Sequence, residues 1–212
     1  MDNIYLHAIY AFYKRYRHED TIKKLKYILE SDAILSRRLQ MNNDPYGFNG
    51  IDYISLCDYE KRNLHHKGMP DYTAYYSYIR ESLSLMFPKD KIEVIKPKMV
   101  DFIGLSKSGL DRMLELGLSK EQRYSDLYDE VQVKDIVPLT SLNGVTMPLD
   151  KMVKGFIPEN IATSMVQREL EQIKELLIKY NHEVPMYDID SFISLDDDQN
   201  VKTLVKEYYN KI

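Results

Sequence analysis

The sequence is poor in cysteine, has no tryptophan and contains no long hydrophobic run. Cys57 is the single cysteine among 212 residues, so the chain cannot form an internal disulfide, and no spacing of Cys and His predicts a zinc site. No apolar run approaches the ~20 residues that a membrane-spanning helix needs. The first residues also lack a basic segment ahead of an apolar one. We therefore expect no membrane association and a reducing, cytoplasmic location, or export without a cleaved signal peptide.

Positive charge is not in excess either. The formal net charge is −4, which argues against a global basic field that would attract nucleic acid. Hydrophobic residues make up 44% of the chain and charged residues 29%. This balance is typical of a globular domain and excludes wholesale disorder.

Hydrophobic spacing predicts helices and short strands. The longest helical pattern covers 161–180, and a second covers 21–30, where Leu25, Ile28 and Leu29 recur at helical spacing. Further segments are short: the pattern predicts a strand or an extended crossing at 33–36, strands at 51–57, 83–87, 91–95 and 128–133, and a closing helix at 201–209.

These elements follow one another without regular strand–helix–strand alternation. We therefore predict an α+β fold in which small mixed or antiparallel sheets are flanked by helices. The apolar run 4–10 is compatible with either a buried strand or a buried helix. We expect a core over 1–150 and a helical extension over 151–212 that packs on the same domain.

Four segments, taken in order, carry the candidate chemistry. His7 lies in the first apolar run. Residues 25–35 read Leu-Lys-Tyr-Ile-Leu-Glu-Ser-Asp-Ala-Ile-Leu, and 50–53 read Gly-Ile-Asp-Tyr. Residues 130–133 read Glu-Val-Gln-Val and lead into Val-Pro-Leu-Thr-Ser-Leu-Asn-Gly-Val at 137–145. Over residues 4–147 this order resembles the ADP-ribosyltransferase superfamily, in particular its branch with His, Tyr and Glu signature positions and the related DNA-modifying toxins.

The chain departs from the family pattern at two places. Ala8 and Ile9 stand where Gly-Thr follows the signature histidine, and Asp32 stands where a glycine is customary. The resemblance implies an ADP-ribosyltransferase-like core that uses NAD as a substrate. It implies transfer of ADP-ribose to a macromolecular acceptor, a protein or a nucleic acid, by a toxin or effector. It implies no metal.

The same resemblance assigns roles to individual residues. Glu130 is the candidate catalytic residue, because a carboxylate near the ribose stabilises the positive charge that builds up as nicotinamide departs. The candidates for binding the nicotinamide ring, the sugars and the pyrophosphate of NAD are His7, Tyr53, Ser55, Tyr75, Tyr76 and Arg37. Contacts with the acceptor are expected at 58–71 and 119–127.

Other interpretations stay open. His7 and Tyr53 also fit core positions, and Glu130 also fits a solvated strand end. The chain is compatible with a non-catalytic interaction module. A metal-dependent nuclease is a further alternative, since Glu130, Gln132 and Lys134 alternate along one strand, with Asp101 as a guess for a second ligand. Gln132 in place of a carboxylate weakens that alternative.

Overall fold

The computed structural model describes residues 3–9, 18–36, 53–59, 79–94, 130–154 and 159–211. These ranges contain eight strands and four helices. The strands are β1 Ile4–Ala8, β2 Ala33–Leu35, β3 Tyr53–Asp58, β4 Ser84–Pro88, β5 Glu130–Lys134, β6 Ile136–Pro138, β7 Gly144–Met147 and β8 Met186–Asp188. The helices are α1 His18–Glu30, α2 Leu149–Val153, α3 Glu159–Lys179 and α4 Asp198–Tyr209.

Six strands form one sheet in the order β5-β3-β1-β4-β7-β8, and β2 pairs with β6 in a separate two-stranded sheet. Every pairing is antiparallel except that of β7 with β8, which is parallel. The mixture of a mostly antiparallel sheet with helices confirms the predicted α+β class. The apolar run at the start of the chain is a strand, and it lies inside the sheet between β3 and β4.

The large sheet has two buried faces. On the first, which we call the helix face, Tyr5 and Ile9 pack in one cluster with Leu25 of α1, Val166 of α3 and Val201 of α4. The other face, which we call the far face, carries a smaller cluster composed of Ile4, Leu6, Cys57, Tyr59, Ile79, Met86 and Ile189. Successive residues of a strand point to opposite faces, so neighbours such as Tyr5 and Leu6 belong to different clusters.

Helix α1 shows how the local sequence builds the helix face. Glu19 and Asp20 lie in its first turn, where negative charge interacts favourably with the helix dipole. Its buried residues recur every three to four positions and are Thr21, Leu25, Ile28 and Leu29. After the last turn Asp32 adopts a φ of 49°, a left-handed conformation that favours glycine and that Asp tolerates better than most residues.

The segment after residue 150 completes the sheet as well as packing on it. Beyond α3 the chain returns as β8, which pairs with β7 in parallel register. Asp188 at the end of β8 is fully buried, and its Oδ2 accepts hydrogen bonds from the Tyr208 hydroxyl at 2.6 Å, the Ser191 hydroxyl at 2.7 Å and the Ser191 backbone N–H at 2.8 Å. These bonds connect β8 to α4.

The structure corrects two details of the predicted elements. The strand predicted at 91–95 is wrong, because a short 3-10 helix covers Lys89–Lys91 and the following residues through 94 are irregular. Strands β6, β7 and β8 and helix α2 were not predicted, because elements of three to five residues are too short to show a clear period. The described helices are all too short or too polar to cross a membrane.

Candidate functional site

The strands that carry the candidate site residues lie side by side, although they are far apart in sequence. His7 belongs to β1, Ser55 to β3 and Glu130 to β5, and β3 lies between the other two strands. Cys57 pairs with Leu6 on one side and with Glu130 on the other. The sheet therefore brings the three predicted strands together at the backbone level.

Some predicted site residues lie outside the described part of the chain. Arg37, Tyr75 and Tyr76 are among them, as are 119–127 and most of 58–71. For Tyr53 and Glu130 the description covers the backbone: Tyr53 pairs with Lys134, and Glu130 pairs with Cys57. The roles predicted for all of these residues stay predictions.

His7 is held by β3. Its Nδ1 lies 3.0 Å from the carbonyl oxygen of Ser55, and because a carbonyl only accepts, Nδ1 donates this hydrogen bond and carries the proton. Burial lowers the pKa of His7 to about 4, and the nearby ammonium of Lys24 on α1 contributes in the same direction. The imidazole is therefore neutral at physiological pH.

The pleat assigns His7 to the helix face. Its neighbours Tyr5 and Ile9 pack in the larger cluster, and Lys24 approaches the ring from α1. Leu6, which shares its row with Cys57 and with the backbone of position 130, packs on the far face instead. The resemblance implies that His7 and position 130 meet around one sugar. The register does not place them on one face of the sheet, because position 130 shares its row with Leu6 and a step of one residue along a strand reverses the face.

The pairing of β1 with β3 includes Tyr5–Asp58 and Leu6–Cys57. One residue beyond Leu6 the Ser55 carbonyl accepts a hydrogen bond from the His7 side chain. Ala8 and Ser55 are both partly exposed.

A row of small and polar side chains crosses the far face of the sheet. Ala8 pairs with Ser84 on β4, and Ser84 pairs with Thr146 on β7. On β3, Ser55 pairs with Gln132, which is 1% exposed. We call these five residues the polar row.

Two hydroxyl groups of the polar row are fully buried. Ser84 and Thr146 have no exposed surface, and neither hydroxyl oxygen has a hydrogen-bond partner in the described part of the chain. An unpaired buried hydroxyl destabilises a protein by about 1–3 kcal/mol. Unsatisfied groups of this kind are uncommon in native proteins and require an explanation.

Sequence reasoning missed Ser84 and Thr146. The signal was present in the alternation Ser82-Leu83-Ser84-Leu85, which assigns the leucines to one face and the serines to the other. Nothing in the sequence, however, indicated that β4 would lie next to β1 or that Thr146 would stand opposite Ser84, since neither strand adjoins β1 in sequence.

The described residues contain no group of three or more His, Cys, Asp or Glu side chains arranged to hold a metal ion. Comparisons of the chain with protein-family models, with curated proteins and with solved structures give no match.

Proposed function

We propose that this protein is an NAD-dependent ADP-ribosyltransferase that modifies a macromolecular acceptor, either a protein or a nucleic acid. The observation that carries the proposal is the adjacency of β1, β3 and β5 in the sheet. The motif order that resembles the superfamily assigns its three signature positions to these three strands.

The proposed chemistry needs a carboxylate beside a bound sugar. The bond between the ribose C1′ of NAD and the nicotinamide nitrogen breaks, and the electron pair leaves with nicotinamide. Glu130 stabilises the positive charge that develops on the sugar, and a nucleophilic atom of the acceptor forms the new bond to C1′ as it loses its proton. Ser55 supplies a hydroxyl on the strand next to β5.

His7 has a positioning role in this proposal. A neutral ring that donates to the Ser55 carbonyl connects β1 to β3 one residue beyond the Leu6–Cys57 pair. Since burial lowers the pKa of His7 to about 4, the ring stays neutral through the physiological range. This role replaces the predicted contact between His7 and the sugar.

The test is the turnover of NAD by the Glu130→Gln variant. Wild-type protein is expected to release nicotinamide from NAD, and the variant to do so at least about 100-fold more slowly, a typical loss for one group that stabilises transition-state charge. NAD binding, measured by calorimetry, should change little because the amide has the same shape. Glu175→Gln, at an exposed position of α3, is the matched control and should keep full activity.

Two results would overturn the proposal. The first is a Glu130→Gln variant with unchanged turnover, which would remove the carboxylate from the mechanism. The second is a wild-type protein whose melting temperature does not rise with saturating NAD. A rise with Mg²⁺ and none with NAD would favour the nuclease alternative instead.

A further inference from the structure

A cavity of about 560 Å³ lies where the chain leaves α1, where it leaves α3 and where it turns after β6. We call it the α1–α3 cavity. Its volume is within the range of about 300–1,000 Å³ that is usual for small-molecule sites. Neither Glu130 nor Ser55 lines it, so it is separate from the site proposed above.

Contacts between the three segments hold the walls of the cavity in place. The backbone carbonyl of Asp32 accepts a hydrogen bond from the Leu139 N–H at 3.0 Å, and the Asp32 Oδ1 lies 2.9 Å from Nε2 of His182. The Tyr180 hydroxyl donates to Oε1 of Glu30 at 2.9 Å. Each contact joins two of the segments, so the cavity is formed before anything binds, and a ligand does not have to order its walls.

The lining is apolar where it is buried and polar where it is exposed. Leu29 and Leu139 are almost completely buried, whereas Thr140, Asn181 and Glu183 are exposed. A ligand that fits this arrangement has a hydrocarbon part that lies against the leucines and a polar group that lies at the mouth.

The charge at the mouth specifies which polar group fits. Asp32 and Glu183 are acidic, and none of the described residues that line the cavity is a lysine or an arginine. Glu183 forms no ion pair in the described part of the chain. The cavity also lies at the C-terminal ends of α1 and α3, and the C-terminus of a helix carries a partial negative charge that favours cations.

We propose that the α1–α3 cavity binds an alkylammonium or guanidinium group. The carboxylates of Asp32 and Glu183 neutralise the cation, and its hydrocarbon stem lies against Leu29 and Leu139. A free amine and a basic side chain of another protein present this same chemistry. The inference does not depend on the proposed function, and no bond is made or broken in the cavity.

The test measures the binding of n-butylammonium by calorimetry at low ionic strength, where exposed charges are least screened. In the test variant, Asp32→Asn is combined with Glu183→Gln. Asparagine tolerates the left-handed backbone at position 32, and its amide oxygen can still accept a hydrogen bond from His182. Removal of both charges should weaken binding about tenfold.

A matched control separates the cavity from the charge of the whole protein. Glu171→Gln combined with Glu175→Gln removes the same net charge from exposed positions of α3 that do not line the cavity. The control should bind n-butylammonium with the affinity of the wild type. Methylammonium should bind the wild type at least about tenfold more weakly than n-butylammonium, because its short stem does not reach the leucines.

Two further probes distinguish the sources of the cation. Putrescine represents a free amine, and Nα-acetyl-lysine amide represents a lysine side chain within a protein. The source whose probe binds more tightly to the wild type is the one that the cavity fits, and the test variant should lose affinity for that probe as well.

Three results would overturn the inference. They are equal affinity of the wild type and the test variant for n-butylammonium, an equal loss in the test variant and the control, and no binding of any of the four amines to the wild type at millimolar concentration. Melting temperatures without ligand show whether each variant is folded. None of these results bears on the role proposed for Glu130.

Discussion

Two buried polar regions of the same sheet differ in how their hydrogen bonds are satisfied. At the β8 edge the carboxylate of Asp188 accepts three hydrogen bonds through Oδ2, from Tyr208 and Ser191, while its Oδ1 has no hydrogen-bond partner in the described residues. Closer to the centre, the hydroxyls of Ser84 and Thr146 have no partner in the described residues. Buried polar groups that are bonded within the chain fix its conformation, whereas unbonded ones reduce its stability.

The Asp188 network connects a strand to a helix that follows it in sequence. Ser84 and Thr146 lie on β4 and β7, which backbone pairing already joins.

The largest effect is expected from removing the bonded carboxylate. Asp188→Ala leaves the buried Tyr208 hydroxyl and both groups of Ser191 without their acceptor, and should lower the free energy of unfolding by about 4 kcal/mol. Urea denaturation measures this as a lower midpoint with an unchanged slope. Asp190→Ala, which removes the ion pair with Arg80 at 3.0 Å, is the control and should cost about 1 kcal/mol or less. Equal losses in the two variants would contradict the structural importance of the network.

The next largest effect on stability concerns His7 and depends on pH. Burial lowers the pKa of His7 from 6.5 to about 4, so between these values the unfolded chain binds a proton at His7 and the folded chain does not. As the pH falls from 6.5 to 4, this group should therefore remove up to about 3 kcal/mol of stability, with no effect above pH 6.5.

Comparison with His7→Asn isolates the contribution of His7. Asparagine keeps a donor near the position of Nδ1 and does not titrate, so the difference in stability between the two proteins should vary with pH only below 6.5. The same pH dependence in both proteins would show that His7 is not buried as described.

The smallest effect lies at the end of α1, away from both polar regions. Asp32→Gly removes the left-handed strain at a φ of 49° and also the ion pair with His182, which is weak because the Asp32 side chain is 67% exposed. The net result should be a gain of about 0.5 kcal/mol, measured as a higher melting temperature. Ser31→Gly, one residue earlier and not at positive φ, should instead lower it. A loss of stability in Asp32→Gly would show that the ion pair outweighs the strain.

Much of the fold was predictable from local patterns. Helix α1 and helix α3 have long apolar stripes, and β3 and β4 have clear alternation, so the sequence predicts them within a few residues. The failures have local causes too: the 3-10 helix at Lys89–Lys91 includes the first residue of the strand predicted at 91–95, and β8 is too short to show a period.

The candidate site was less predictable. The sequence indicated His7 and Ser55 through the order of motifs, but that order carries no information about which face of a strand each residue occupies in the sheet. The face of the sheet that His7 occupies follows from the packing of Tyr5 and Ile9 against α1. The pairing of Ser84 with Thr146 follows from the strand order, which is set by contacts between residues distant in sequence.

The sequence by itself determined the α+β class, the main helices and the residue types available for chemistry, because propensity and periodicity act over a few neighbouring residues. The tertiary structure alone decided that β1 lies between β3 and β4, that His7 faces the helices, and that two hydroxyls meet without a partner. Strand order and register depend on burying both faces of the sheet at once. Segments that are distant in sequence must pack together to do this, so no short stretch of the chain determines the result.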